Sequence, residues 1–160
     1  MMTFKTADLS DANEGRVQVV APGLASFGAR KRFAGPMVTI RAQGDYSQVR
    51  AQTHAPGGGR VLVVDNDGRL DCAVCGDLLA AAASENGWAG IVVNGCIRDA
   101  ADIDAMDIGV KTLAVFPRRG SKDGRGDVDV EVEFLGAAFR PGEYLYSDED
   151  GILLSAEALI

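Results

Sequence analysis

Apolar residues in this chain fall into short runs separated by glycine-rich and polar turns, a pattern typical of alternating strands and helices. The run Val61–Val64 is continuously apolar and predicts a strand that is buried on both faces. Ile91–Val93 has the same character and predicts a second buried strand. Gly35–Ala42 and Gly109–Phe116 predict two further strands. The middle of the chain should therefore form a sheet.

Helical signals lie between these strands. Thr6–Glu14 can form a short N-terminal helix, and Asp45 is a candidate N-cap for a helix that ends near His54. The alanine-rich run that follows Asp77 has a high helix propensity and is stopped by Gly87. The middle of the chain is therefore expected to consist of helix–strand units.

The C-terminal part of the chain has a different pattern. Val128–Phe134 alternates strictly between apolar and polar residues, which predicts an antiparallel strand with one solvated face. Two short strands are expected between Pro141 and Ser155, around an acidic turn at residues 147–151. Helix–strand units followed by a meander predict one layered, mixed α/β domain over residues 1–160.

Two of the predicted strand-to-helix junctions carry charged residues. The first contains Gly76 and Asp77, and the second, within the segment NGCIRDAADIDAMDIG (residues 94–109), contains Arg98 and Asp99. Twenty residues lie between Asp77 and Arg98, which is about the length of one helix and one strand. If the strands are parallel, both junctions open at the carboxyl edge of the sheet, where ligands bind in such folds.

These junctions contain the groups that a site for an anionic substrate needs. Free backbone N–H groups at the start of the first helix, on Asp77, Leu78 and Leu79, can point at an anion. The guanidinium group of Arg98 matches a carboxylate with two parallel hydrogen bonds. Asp99 offers hard oxygen ligands for Mg²⁺ or Mn²⁺, and Mg²⁺ is often held by one or two carboxylates plus water and substrate.

The same residues also have a purely structural interpretation. Asp77 and Asp99 can be ordinary acidic residues at helix starts, each worth about 0.3–1 kcal/mol through the helix dipole. Arg98 can be a solvated side chain. Residue spacing alone leaves both interpretations open.

Composition and charge narrow the possible functions. The chain has 160 residues, 47% of them hydrophobic, and a net charge of −7, which disfavours binding to nucleic acid or to an anionic membrane. No apolar run reaches the roughly 20 residues that span a bilayer, and the N-terminal residues lack a signal pattern, so a cytoplasmic location is expected. No GxGxxG or GxxxxGK[ST] motif occurs.

Other candidate sites have weaker support. Cys72 and Cys75 have CxxC spacing in an extended segment, which favours plain buried thiols over a metal or redox site. His54, the only histidine, has no serine motif to serve and is expected at the surface. The basic residues of the glycine-rich stretch 118–125 predict a mobile, solvated segment that could still attract an anionic substrate.

Four segments together resemble the family of regulators of ribonuclease activity A. They are FAGPMVTI, GRVLVVDNDG, GIVVNGCIRDAADIDAMDIGVKTLA and GEYLYSDEDGILLS, and the resemblance extends from about Thr6 to Ser155. This family shares its fold with the class II, metal-dependent 4-hydroxy-4-methyl-2-oxoglutarate aldolases. The resemblance implies a swivelling β/β/α layered domain with a mixed sheet. It also implies homotrimers with sites at the subunit junctions, a state that would cover the edge of the expected Val128–Phe134 strand.

The aldolase signature of that family is an aspartate, twenty residues, and then Arg-Asp. This chain has Asp77, Arg98 and Asp99 in that register. By resemblance, Arg98 and the backbone from Gly76 to Leu79 would bind substrate, and Asp99 would ligate the divalent cation. Family members known mainly as ribonuclease regulators can lack the second aspartate, so its presence favours the enzyme.

The expected activity is cleavage of 4-hydroxy-4-methyl-2-oxoglutarate, or a similar 4-hydroxy-4-carboxy-2-oxo acid, into pyruvate and a second oxo acid. The cation at Asp99 would stabilise a pyruvate enolate, and Asp77, acting with a water molecule, would take the proton from the 4-hydroxyl group. Oxaloacetate should be decarboxylated as a side reaction through the same enolate. The alternative is a binding protein that inhibits ribonuclease E through its acidic surface.

Overall fold

The computed structural model describes residues 3–160, which form four helices and twelve strands. The helices are α1 (Thr6–Ala12), α2 (Ser47–Thr53), α3 (Asp77–Glu85) and α4 (Ala100–Asp104). The strands are β1 (Val17–Val19), β2 (Ala25–Phe27), β3 (Phe33–Arg41), β4 (Val61–Asp65), β5 (Ala73–Cys75), β6 (Gly90–Ile97), β7 (Gly109–Val115), β8 (Asp127–Val128), β9 (Val132–Phe134), β10 (Ala137–Phe139), β11 (Tyr144–Ser147) and β12 (Ile152–Ser155).

Ten of these strands form one mixed sheet. Its main order is β1-β12-β11-β3-β4-β6-β7-β2, with β5 paired to β6 and β8 paired to β3. Strands β3, β4, β6 and β7 run parallel, as does the β5–β6 pair, whereas the C-terminal strands join antiparallel. The prediction of a mixed α/β fold with a mixed sheet is therefore confirmed.

The sheet is covered on both faces, and this makes its central strands apolar throughout. Along β4, Leu62 and Val64 pack with residues of α2, α3 and α4, whereas Val61 and Val63 pack with residues of the β9–β10 hairpin. Successive side chains on a strand point to opposite faces, so both faces of β4 are buried. The result is a helical layer on one face of the sheet and a β layer on the other.

The strand before the second junction is longer than its apolar run suggests. The sequence predicts that the strand covers Ile91–Val93 and that a helix begins within the following motif, but β6 continues to Ile97 and α4 begins only at Ala100. All eight residues of β6 are buried between neighbouring strands. The polar side chain of Asn94 does not end the strand because its amide donates to Asp65 Oδ1 at 2.8 Å.

The prediction of one long strand over Val128–Phe134 is wrong. Its alternation of exposed and more buried residues is present, but the chain changes its pairing partner within the segment. β8 pairs with β3, whereas β9 pairs with β10. Between the two strands Asp129 has a φ of 61°, a left-handed conformation that breaks a strand. The alternation of apolar and polar residues was predicted correctly, but such alternation does not show where pairing with one neighbouring strand ends and pairing with another begins.

Asp45 is not the N-cap of α2. The helix begins at Ser47 with Tyr46 as its N-cap, and the fully buried Asp45 lies one residue further out. Its Oδ1 atom still accepts the backbone N–H of Ser47 at 2.8 Å. Within residues 3–160, no helix is long and apolar enough to span a membrane.

Candidate active site

The end of β6 meets the start of α3 through a direct hydrogen bond. The backbone N–H of Asp77 donates to Asp99 Oδ2 at 3.0 Å, although 21 residues separate the two positions in sequence. The backbone N–H of Leu78 donates to Oδ1 of Asp77 at 2.8 Å. Because β5 and β6 are parallel neighbours, their carboxyl ends bring both aspartates to one place at the edge of the sheet.

Two backbone features permit this approach. Asp99 has φ 60° and ψ 41°, the left-handed conformation that aspartate tolerates better than most residues. Gly76 has an ordinary negative φ, but a Cβ atom at this position would lie 2.8 Å from Asp99 Oδ2 and 3.3 Å from Arg98 Cγ. Space rather than backbone conformation therefore favours glycine at position 76, because a Cβ atom there would force the Asp99 carboxylate to move.

Arg98 is held by its backbone and leaves its guanidinium group available. Its N–H donates to the carbonyl oxygen of Cys75 at 2.9 Å, which extends the β5–β6 pairing by one residue. The guanidinium Nη1 atom makes a long contact of 3.5 Å to the carbonyl oxygen of Pro117. Arg98 forms no ion pair with any of residues 3–160. The group is positioned beside the two carboxylates and is free to bind an anion.

The two carboxyl groups differ in their affinity for a proton. A side-chain hydrogen bond with Asp99 raises the pKa of Asp77, and burial and the negative charge of Asp99 add to this rise. The pKa of Asp99 is lowered, chiefly by the backbone N–H of Asp77 and also by the side chains of Asp77 and Arg98. The Asp77 carboxyl group therefore binds a proton more readily than the Asp99 carboxyl group.

The cysteine next to Gly76 does not contribute a reactive group. Cys72 and Cys75 are free and buried, as the sequence predicts. Burial, together with the nearby charge of Asp99, raises the pKa of the Cys75 thiol to about 12, so this group stays protonated at neutral pH.

The donor atoms at this site suit a hard divalent cation. Across residues 3–160, no three His, Cys, Asp or Glu side chains are grouped so that they could enclose a metal ion. Asp77 and Asp99 supply only carboxylate oxygens, and Mg²⁺ is commonly held by one or two carboxylates with water and substrate in its remaining positions. The residues present therefore fit Mg²⁺ or Mn²⁺ rather than a zinc site of thiolates and imidazoles.

A pocket of about 300 Å³ opens at this junction. All six predicted site residues line it, which are Gly76, Asp77, Leu78, Leu79, Arg98 and Asp99. The sequence did not predict the contribution of α2 and the residues that flank it, which add Tyr46, Arg50 and His54 to the lining. His54 is exposed, as expected, but it faces this pocket. The position of α2 depends on tertiary packing, so no local signal in the sequence indicates its role.

Backbone bridges anchor the basic stretch after β7, and its basic side chains are exposed to solvent, as the sequence predicts. Arg119 forms a parallel bridge with Ala73 of β5, and Ser121 forms a second bridge with Asp45. Both Arg119 and Lys122 line the pocket. The stretch runs along β5 and the residues that precede α2, and this pairing places its side chains at the site.

Asp45 is the central anchor of that stretch. Its Oδ2 atom accepts the Ser121 hydroxyl group at 3.0 Å and the backbone N–H of Asp123. Burial alone would raise the pKa of Asp45, but hydrogen bonds from Ser47, Asp123 and Ser121 outweigh burial and hold the pKa far below its ordinary value. The buried carboxylate therefore stays ionised and keeps the basic stretch in place.

Paired carboxylates beside an unpaired arginine, at the carboxyl edge of a parallel sheet, define a site of the kind found in enzymes that act on small anionic molecules. Comparison with known proteins agrees with this class. Residues 6–154 match the family model RraA-like, described as Aldolase/RraA. The chain belongs to this family.

Individual relatives cover the chain almost completely. A protein of Ectopseudomonas mendocina named "Putative 4-hydroxy-4-methyl-2-oxoglutarate aldolase" is 52% identical over 99% of this chain and 98% of its own length. A protein of the same name from Laribacter hongkongensis is 50% identical over 99% of this chain and 100% of its own length. Among solved structures, the RNA-processing inhibitor RraA from Thermus thermophilis has a TM-score of 0.94 at 42% identity, covering 98% of this chain and 94% of that one.

Proposed function

We propose that this protein is a divalent-metal-dependent lyase that cleaves 4-hydroxy-4-methyl-2-oxoglutarate, or a similar 4-hydroxy-4-carboxy-2-oxo acid, to give pyruvate. The observation that carries the proposal is the 3.0 Å contact from Asp77 N to Asp99 Oδ2, which gathers two carboxylates beside Arg98 in one pocket. Full-length relatives named as aldolases support the same reaction class.

Arg98 is the group that would orient the substrate. Its guanidinium group has no carboxylate partner among residues 3–160, and its planar fork would bind the carboxylate next to the 2-oxo group through two hydrogen bonds. The N–H groups of Asp77 and Leu78 already donate to carboxylates of this chain. The N–H of Leu79 is then the helix-start donor left for the substrate, while the other two fix the aspartates.

Asp99, with Asp77 beside it, would hold Mg²⁺ or Mn²⁺. When bound, such a cation would withdraw electron density from the 2-oxo group and so stabilise the enolate that forms as the C3–C4 bond breaks.

Asp77 is the candidate base. In the cleavage, the C4 hydroxyl group loses its proton, the C3–C4 bond breaks, C4 becomes the carbonyl carbon of the second oxo acid, and the electron pair forms the pyruvate enolate. Asp77 lies beside Asp99, which would hold the cation, and the N–H of Leu78 orients the Oδ1 atom of Asp77. It would accept the proton directly or through one water molecule, and a later proton transfer to C3 would release pyruvate.

Lys122 lines the pocket, so a Schiff-base route needs its own test. Such a route would form an imine between a lysine and the 2-oxo group, which sodium borohydride reduces to a stable adduct. We expect borohydride treatment in the presence of pyruvate to leave both activity and protein mass unchanged. A mass increase at Lys122 would contradict the proposed mechanism.

The direct experiment measures pyruvate production from 4-hydroxy-4-methyl-2-oxoglutarate. Pyruvate should appear with Mg²⁺ or Mn²⁺ present, production should stop when EDTA is added, and excess Mg²⁺ should restore it. Oxaloacetate should be decarboxylated under the same conditions, because loss of CO₂ gives the same pyruvate enolate. Absence of pyruvate from a panel of 4-hydroxy-4-carboxy-2-oxo acids would refute the proposal.

A second candidate function is inhibition of ribonuclease E through binding. It is favoured by the likeness to a solved RNA-processing inhibitor and by the net charge of −7, which suits a basic protein partner. The two functions separate in one experiment, since Asp99→Asn should abolish lyase activity while leaving an acidic binding surface almost unchanged. Inhibition of ribonuclease E by both the original protein and this variant, without lyase activity in either, would favour the binding role.

We further propose a homotrimer with the site at a subunit junction, the state that the family resemblance implies. Leu78, at the mouth of the pocket, is 78% exposed in the single chain. A large apolar side chain at this position is suited to burial against a second subunit.

A further inference from the structure

The pocket carries more positive charge than one substrate carboxylate requires. Its lining includes the cationic residues Arg50, Arg98, Arg119 and Lys122, against the two carboxylates of Asp77 and Asp99. The chain as a whole has a net charge of −7. Basic side chains are therefore concentrated around the pocket of an otherwise acidic protein.

The four cationic residues of the pocket are also unpaired. Within residues 3–160, none of them forms an ion pair, whereas seven other basic residues do. Those seven are Arg30, Lys31, Arg32, Arg41, Arg69, Arg125 and Arg140. Unpaired cations gathered around one pocket attract and bind anions with more than one negative charge.

Three of these cationic residues lie outside the two strand-to-helix junctions that carry Asp77, Arg98 and Asp99. We call Arg50, Arg119 and Lys122 the basic cluster. Arg50 lies on α2, and the other two lie on the anchored stretch after β7. Backbone hydrogen bonds fix this stretch at both of its neighbours: the N–H of Gly120 donates to Ala73 O at 2.9 Å, and the N–H of Tyr46 donates to Ser121 O at 2.9 Å.

We infer that the basic cluster binds a second carboxylate of the substrate, remote from the carboxylate that Arg98 holds. This inference rests on the proposed function, which assigns the 2-oxo acid end of the substrate to Arg98. The basic cluster favours the further carboxylate that the proposed substrate carries on C4, and it selects against 2-oxo acids with an uncharged tail. Arg50 and Arg119 act here as specificity-determining residues.

Two non-cleavable probes of equal carbon number test this. 2-Oxoglutarate has a carboxylate at C5, whereas 2-oxopentanoate has a methyl group there, and neither carries the 4-hydroxyl group that cleavage requires. Calorimetric titration with Mg²⁺ present should show 2-oxoglutarate binding about tenfold more tightly, the size expected for one or two contacts with exposed cations. In the double variant Arg50→Gln/Arg119→Gln, this preference should fall to about threefold or less while the affinity for 2-oxopentanoate stays the same.

Arg118→Gln is the matched control. Arg118 is exposed, carries the same charge and is the direct neighbour of Arg119, but it does not line the pocket. Its variant should keep the full preference for 2-oxoglutarate. An equal loss in Arg118→Gln would show a general charge effect and would overturn the inference. Circular dichroism should show that all the variants are folded, since the substituted side chains are exposed.

The outcomes separate this inference from the proposed function. Cleavage of 4-hydroxy-4-methyl-2-oxoglutarate together with equal binding of the two probes would overturn the inference and leave the function standing. A preference for 2-oxoglutarate that the double variant loses, in a protein without lyase activity, would support the inference and refute the function. Failure of 2-oxoglutarate to bind at millimolar concentration, or an equal weakening of both probes in the double variant, would also overturn the inference.

Discussion

Asp99 Oδ2 accepts the backbone N–H of Asp77 at 3.0 Å, so the residue that directly precedes α4 caps the first turn of α3. The contact fixes the spacing of the two carboxylates, because Asp77 is the first residue of α3. It also couples their protonation and lowers the pKa of Asp99. A change at Asp99 therefore affects both local stability and chemistry, and variants must be chosen to separate the two.

Asp99→Asn should abolish metal-dependent turnover while the protein remains folded. Asparagine keeps an oxygen that can accept the N–H of Asp77, and it tolerates the left-handed backbone at this position, but it removes the charge that a divalent cation requires. Pyruvate production and the thermal midpoint should be measured together. Asp99→Ala should in addition lose the cap, at a cost of about 0.5–2 kcal/mol in unfolding free energy. Wild-type turnover in Asp99→Asn would show that the cation does not bind there.

Arg98→Lys should be nearly as damaging as Arg98→Ala. Lysine retains the positive charge but loses the planar, two-pronged contact that fixes a carboxylate in one orientation. The loss of such a contact is worth roughly 1.5–3 kcal/mol, or about ten- to a hundredfold in kcat/KM. Cleavage and oxaloacetate decarboxylation should fall together. Full activity of Arg98→Lys on both substrates would show that Arg98 is only a solvated helix-start residue.

Gly76→Ala should lower kcat/KM by about ten- to a hundredfold without preventing folding. The backbone of Gly76 suits alanine, but the added Cβ atom would displace the Asp99 carboxylate and the Arg98 side chain from their present positions. The assay compares steady-state kinetics with far-ultraviolet circular dichroism. Unchanged kinetics would mean that the close contact of Gly76 with these residues has no part in catalysis.

Stability should fall in acid through Asp148, a buried residue far from the site in sequence. Burial would raise its pKa, but hydrogen bonds from the Thr6 hydroxyl and N–H groups and from the N–H of Asp150 lower it overall. A carboxyl group with a lowered pKa in the folded state contributes its full stability above its unfolded pKa of about 3.9. That contribution is lost as pH falls below this value.

The urea midpoint should therefore decline from about pH 5 to about pH 2, and Asp148→Asn should flatten part of this decline. Asp150→Asn is the control, because it removes an exposed carboxylate two residues away. If Asp148→Asn and the original protein show the same dependence on pH, other carboxylates control acid stability.

Light scattering at micromolar concentration should give the mass of a trimer. Leu78→Asp should weaken the assembly, because a charge would replace an exposed apolar side chain at the mouth of the pocket. Leu70→Asp is the matched control, since Leu70 is also exposed but does not line the pocket. A monomer mass for the unmodified protein would contradict both the trimer and a site shared between subunits.

The residue pattern alone is enough to predict the central part of the fold. Val61–Val64 is apolar without interruption because both faces of β4 are covered, and this requirement appears directly in the residue pattern. Gly87 ends the region of α3 as expected, with a φ of 81° that glycine adopts at little cost. The Asp77–Arg98 spacing correctly indicated that the two junctions share one edge, because one helix and one parallel strand, α3 and β6, return the chain to the edge at which β5 ends.

Packing between distant segments determines which other residues reach the pocket. The local sequence patterns indicate only a polar helix and a solvated loop for the segments that contain Arg50, His54, Arg119 and Lys122. Such patterns carry no information about which neighbours a segment packs against. Pairing of the basic stretch with Ala73 and with the buried Asp45 gives it a fixed course. The same reason explains the wrong strand at Val128–Phe134, since alternation records which side chains face inward but not which strand they pair with.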